Sequence, residues 1–179
     1  MVLPVSDRLT DGVVALRPWA ETDVEAMVEC LDGDEEIARW LDGIPQPYTP
    51  ADAHAYLRGE SPRGSAEVKW AITDAATGRV LGSVGTTPLG DDVWEVGYWL
   101  RADARGRGAT TRALVLVSRW MLAQGAARLQ LRADPQNVAS CRVAEKAGFT
   151  REGVLRSHHW NARLGRRQDW AMYSLLPGE

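Results

Sequence analysis

At 179 residues the chain is long enough to bury a core without disulfide or metal staples, and it reads as one domain spanning 1–179. A composition of 45% hydrophobic and 25% charged residues is ordinary for a globular protein, and a formal net charge of −3 supplies no general attraction to nucleic acid or to an anionic membrane. Cys30 and Cys141 lie far apart and outside any Cys-x-x-Cys pattern, no run reaches the roughly 18 apolar residues of a membrane span, and residues 1–7 lack a basic start followed by an apolar stretch. A cytoplasmic protein with free thiols and no metal is therefore expected.

Residues 13–17 read as a short strand ended by Pro18. From Trp19 the spacing turns helical through Val24, Met27, Val28 and Leu31, with Thr22 or Asp23 as cap. Residues 32–50 are acidic and Pro-rich, yet they embed Trp40, Leu41, Ile44 and Tyr48 in what should be a polar connection. Large aromatics in a loop either pack it onto the core or line a pocket. A helix over 51–57 and a Gly/Pro/Ser-rich stretch over 59–65 lead to a strand at 68–73, a turn at 75–78 and a return strand at 80–87. The glycines of that return strand point to bends or to a close neighbouring backbone. Pro88 to Asp92 turns the chain into a third strand at 93–100, completing an antiparallel meander.

The stretch 93–123 organises the rest. After the strand comes Ala104-Arg105-Gly106-Arg107-Gly108-Ala109-Thr110-Thr111, and then Ala113, Leu116, Val117 and Trp120 recur at helical spacing. Gly106 and Gly108 carry no side chain to block a ligand, so successive N–H groups can converge on an anion at the start of the helix, with Arg105 and Arg107 adding positive charge. A nucleotide P-loop would need Lys and Ser/Thr after the last glycine, and a dinucleotide fingerprint would need a third glycine where Thr111 stands. A plain tight connection is the alternative. The helix ends at Gln124-Gly125, and residues 128–132 alternate as a strand that must cross back parallel to the central one. Asn137 caps a helix running through Val143, Ala144 and Ala147 to Gly148, and segments at 149–155 and 167–175 form a last hairpin around Gly165. The fold class expected is α/β, a mixed, mostly antiparallel sheet with helices on both faces.

The pattern Arg105-x-x-Gly108-x-Thr110 after Glu95-Val96-Gly97-Tyr98-Trp99-Leu100 resembles the acyl-CoA pyrophosphate loop of the GCN5-related N-acetyltransferase (GNAT) superfamily. Asp134-Pro135-Gln136-Asn137-Val138-Ala139-Ser140, with Ala144-Glu145-Lys146-Ala147-Gly148-Phe149 and Glu152-Gly153-Val154-Leu155-Arg156, is similar to its RimJ/RimL-like branch, which acetylates ribosomal-protein N-termini. Thr110 departs from the family, which usually has Gly or Ala there.

The resemblance implies a V-shaped gap between two central parallel strands, acetyl-CoA as co-substrate, and a direct attack in a ternary complex. It implies that Trp99 and Leu100 contact the pantetheine arm, that residues Arg105, Gly106, Arg107, Gly108, Ala109 and Thr110 hold the phosphates, that Asn137 approaches the cofactor, and that Ser140 lies near the sulfur as acid. Acyl transfer to an amine also needs a base. Glu95, on the same alternation face as Gly97 and Trp99, and His159 in the final hairpin are the candidates, with Asp169 third. Trp40 and Tyr48 are candidates for the acceptor pocket. Asp32, Asp34, Glu35 and Glu36 favour a cationic acceptor, either a protein N-terminus or a small-molecule amine. Succinyl-CoA stays open as donor because Arg163 or Arg167 could pair with a second carboxylate. A non-catalytic CoA-binding sensor is the alternative of a different class, and a monomer or homodimer is expected.

Overall fold

The computed structural model describes residues 8–60 and 68–179. The expected features at 1–7 and most of the turn-rich stretch at 59–65 lie outside them. A two-residue β1 (Leu9–Thr10) and β2 (Val14–Pro18) open the chain, followed by α1 (Val24–Leu31), α2 (Glu35–Trp40) and α3 (Pro50–Leu57). The meander is β3 (Val68–Asp74), β4 (Val80–Gly90) and β5 (Val93–Leu100). Then come α4 (Ala109–Ala123), β6 (Arg128–Ala133), α5 (Val138–Lys146), β7 (Thr150–Asn161) and β8 (Arg166–Leu175).

All eight strands join one sheet in the order β1-β2-β3-β4-β5-β6-β8-β7. Neighbours are antiparallel except β5 and β6, which run parallel because α4 carries the chain back between them. Each face of the sheet has its own core. Trp70, Trp94, Val96, Leu114, Val117 and Met121 pack together with α4 on one side. Met27, Leu31, Ile37, Tyr48, Ala53 and Trp99 pack with α1 to α3 on the other. Alternation along β5 therefore sends Val96 and Leu100 to the α4 side and Trp99 to the α1 side, the side that Glu95 and Gly97 share.

The close backbone expected around the β4 glycines is present. A Cβ at Gly82 would stand 2.2 Å from the Trp99 carbonyl oxygen, so the approach of β5 to β4 admits no side chain there.

Four features of the fold differ from the sequence expectation. β1 is too short to show a pattern. α2 arises inside the acidic 32–50 stretch because the Asp34 carboxylate accepts from the N–H groups of Glu36 and Ile37, a cap that six residues are too few to announce by periodicity. β4 runs on through Pro88 to Gly90, with a register shift between those residues that accommodates the missing donor. β7 likewise extends beyond Leu155 to Asn161, across a shift between Leu155 and His159 where Ser157 takes φ +52°. Its side chains are exposed through His158, so no hydrophobic alternation marks its length. His158 and His159 thus lie on a strand.

Candidate active site

The two parallel strands pair only between Val93–Glu95 of β5 and Arg128–Gln130 of β6, and then part. Beyond that point the β6-facing edge of β5, from Val96 to Leu100, has no strand partner among the described residues, and its backbone donors and acceptors face a cavity of about 430 Å³. Trp99, Leu100, Gly106, Gly108, Ala109 and Thr110 line this gap, as do Asn137, Ser140, Glu95, His159 and Trp40. Of the catalytic, cofactor and acceptor candidates, Arg107, Tyr48 and Asp169 do not line it.

The glycine turn closes one end. Gly106 and Gly108 take φ +76° and +80°, the left-handed region in which a side chain is strained, and Gly108 is the cap of α4. The first ladder bond of α4 is from the Arg112 N–H to the Gly108 carbonyl at 3.0 Å, so the amides of Ala109, Thr110 and Thr111 stand ahead of the ladder at the positive end of the dipole. Arg107 is exposed. Arg105 is a brace: its guanidinium grips the Asp34 carboxylate, lies 3.6 Å from Glu36, and donates through Nε to the Leu100 carbonyl at 3.1 Å. Its charge is therefore shared with α2, while Arg142 and Lys146 of α5 also line the gap.

Ser140 sits on the first turn of α5. Its N–H donates to the Asn137 side chain at 3.0 Å, so Asn137 is a cap as expected while also lining the gap. The Ser140 hydroxyl lies 2.9 Å from the hydroxyl of Tyr98, which burial pushes up to about 12. Tyr98 therefore stays protonated through the physiological range and fixes the orientation of Ser140.

The base candidates differ in their surroundings. Both oxygens of Glu95 are engaged: Arg132 Nη2 donates to Oε1 at 2.6 Å and Gln130 Nε2 to Oε2 at 3.2 Å. His159 has one ring nitrogen, Nε2, 3.1 Å from Asp42 Oδ2, and its ring stacks on Trp170 at 4.5 Å between centroids and 17° between planes. The Arg132 guanidinium also lies over Trp170, at 4.1 Å. Asp169 accepts the Ser157 N–H at 2.7 Å, is exposed, and does not line the gap. Asp42 takes the Ala162 N–H as well, at 3.3 Å, and Arg163 donates to the Ile44 carbonyl at 2.8 Å, so the loop after α2 is tied to the β7–β8 hairpin over the far end of the gap.

Trp40 and Tyr48 fall in different places. Trp40 is half-buried on the gap, under the Arg39 guanidinium at 4.6 Å. Tyr48 is buried, its hydroxyl donating to Met27 Sδ at 3.3 Å, and it lines a second cavity between the sheet and helices α1 and α3. The acidic run is largely committed to structure: Asp34 caps α2 and holds Arg105, and Asp32 accepts the Tyr48 N–H at 3.0 Å.

Tyr98, Asp42, Arg132 and Trp170 were missed in the sequence. Tyr98 had a signal, since alternation from Val96 and Leu100 turns it toward the helix that carries Ser140.

The model for the acetyltransferase (GNAT) domain matches residues 14–150. The chain belongs to this family and is an N-acetyltransferase. It is 28% identical over 175 residues to the N-acetyltransferase YoaA of Bacillus subtilis, covering 93% of this chain and 94% of that one. Among solved structures, a GNAT-family acetyltransferase from Bacillus anthracis superposes with a TM-score of 0.84 at 16% identity, over 97% of this chain and 100% of that one. The microcin self-immunity acetyltransferase MccE, solved with acetyl-CoA and AMP, gives 0.78 at 19% identity, over 98% of each chain. The last two likenesses concern the fold, including its mixed sheet with one parallel pair.

Proposed function

We propose that this N-acetyltransferase moves the acetyl group of acetyl-CoA to a primary amine by direct attack in a ternary complex. The observation that carries the reading is the gap itself: an unpaired strand edge from Val96 to Leu100 leads from the free amides of Ala109, Thr110 and Thr111 to Ser140 and His159. That arrangement suits a long ligand with phosphates at one end and a thioester at the other, and the neighbour MccE is described with acetyl-CoA.

The bound thioester supplies an acyl carbon already activated toward an amine. In this reading the glycine turn and the first amides of α4 hold the phosphates, and the main chain at Trp99 and Leu100 bonds the pantetheine arm and polarises the thioester oxygen. His159 takes the proton that the attacking nitrogen must lose. Two contacts favour it over Glu95: Asp42 fixes one of its ring nitrogens and leaves the other for the amine, whereas both Glu95 oxygens are occupied by Arg132 and Gln130. As the C–S bond breaks, Ser140 passes its hydroxyl proton to sulfur and takes the Tyr98 hydroxyl proton in turn, and the proton taken up by His159 returns to that pair through solvent. Acetyl is favoured over succinyl because Arg163 and Arg167 are spent on the carbonyls of Ile44 and Ser157, and neither lines the gap.

The test is calorimetric titration with acetyl-CoA, succinyl-CoA and CoA, followed by thiol release against peptide N-termini and small amines. Tight binding of acetyl-CoA with turnover on one acceptor class is expected. Failure of every CoA species to bind sinks the reading.

A further inference from the structure

We infer that the second cavity, between strands β3 to β5 and helices α1 and α3, seats a single aryl or branched-alkyl arm of the acceptor, so that the substrate is a primary amine carried on a compact apolar group. The inference rests on the reading that the β5–β6 gap holds the thioester.

The two cavities meet at β5. Leu41, Gly97, Tyr98 and Trp99 line both, so a molecule lying in one can present an atom to the other across Gly97, which has no side chain. The floor of the second cavity is a row on β4 and β5 in which Ser83 directly opposes Trp99 and Gly85 directly opposes Gly97, with Thr87 next along β4. Opposed residues of an antiparallel pair share one face of the sheet. A glycine facing a glycine in the middle of that row leaves a hollow where two side chains would otherwise meet, beside the strand edge assigned to the acyl group.

The walls are apolar and held in place. Trp99 stacks on Trp19 at 6.0 Å and 29°, Trp19 meets Tyr56 edge-on at 6.3 Å and 89°, and the Tyr56 hydroxyl lies 3.0 Å from Ser83 Oγ. Met27, Ile44 and the buried Tyr48 complete the enclosure. A volume of about 390 Å³ falls in the range of about 300 to 1,000 Å³ usual for small-molecule pockets. Walls fixed before binding lower the ordering cost for a rigid apolar guest.

The charged groups of this cavity argue against a polycation. The Asp52 carboxylate takes both the N–H and the hydroxyl of Thr49, the cap of α3, the Glu60 carboxylate is forked by Arg58 at 2.7 and 2.8 Å, and the Lys69 ammonium lies 3.9 Å over the Tyr56 ring. Both carboxylates are thus engaged locally, and the third charge is positive. An amine whose substituent is apolar is the guest these walls suit, with its one ammonium reaching the gap.

The test is calorimetric titration of the full chain, loaded with CoA, using 2-phenylethylamine, ethylamine and spermidine. Binding of 2-phenylethylamine at least tenfold tighter than either of the others is expected, as is loss of that preference in Ala55→Phe, which fills the cavity from α3. Ile44→Trp, which fills it from the loop, should do the same, and thermal melts show that each variant folds. Spermidine binding tighter than 2-phenylethylamine, or an unchanged preference in both folded variants, overturns the inference. Titration of the wild type and of each variant with acetyl-CoA separates the two readings: a wild type that binds acetyl-CoA but shows no aryl preference overturns only the acceptor pocket, whereas no acetyl-CoA binding by the wild type overturns the gap reading beneath it.

Discussion

The two ends of the gap are built in opposite ways. At the glycine turn the groups offered to the gap are backbone amides of consecutive residues, Ala109 to Thr111, beside the left-handed Gly106 and Gly108. At the other end they are side chains gathered from distant parts of the chain: His159 meets Asp42 across 117 residues, and both depend on a loop and a hairpin tied together by Arg163 and Ala162. A backbone cradle is local and tolerates change in most side chains around it. A side-chain constellation depends on every element that positions it.

That contrast can be broken first at the turn. Gly108→Trp puts a large side chain on a residue at φ +80° and into the cradle, and should lower acetyl-CoA affinity by 10²-fold or more, read by calorimetry; unchanged affinity would show that the turn does not hold the phosphates. Next, Ser140→Ala should lower kcat by roughly 10² with acetyl-CoA affinity nearly kept, whereas a rate within a few-fold of wild type would reduce Ser140 to packing.

At the acceptor end the sharper experiment is a pair. His159→Ala should remove the acidic limb of the pH–rate profile and Glu95→Gln should leave it in place; the reverse pattern would make Glu95 the base. Asp42→Asn should lower the rate about tenfold without abolishing it, since Asp42 acts through His159.

The smallest effect lies in the part of the β7–β8 hairpin remote from both ends. Hydrogen bonds from Arg128, and then from Ser174, hold the Glu152 carboxyl down at about 2, below its ordinary 4.5. Because the folded value is depressed, the stability it lends is complete above pH 4.5 and is lost as the pH falls toward 2. The Glu152 side chain is 40% exposed, so solvent screening limits the effect to under about 1 kcal/mol. Glu152→Gln should flatten the acid limb of thermal stability slightly, and a drop equal to the wild type's would show that Glu152 contributes nothing.

The same contrast explains what the sequence revealed. β5, the glycine turn, α4 and the Asn137 cap are contiguous signals, and each was legible because strand alternation, φ-permissive glycine and capping chemistry are properties of neighbours in the chain. Tyr98 was half legible, through alternation alone. Asp42, Arg132 and Trp170 were not, because each acquires its role only from a residue distant in the chain: His159 on β7 for Asp42, Glu95 on β5 for Arg132, and Arg132 on β6 for Trp170. Arg105 is the instructive case: its place in the motif was visible, but its pairing with Asp34, 71 residues away, was not.

The facing glycines of β4 and β5 bear on how such an enzyme diverges. A hollow made by two absent side chains can be filled by a single codon change, and the glycine turn proposed to hold the co-substrate would be untouched. At Gly85 a Cβ would already meet the Val68 carbonyl oxygen at 3.3 Å, so the range there is narrow and alanine is the natural first step. Paralogues of this chain that differ at position 85 or 97 should therefore differ in the amines they accept while sharing the acyl donor.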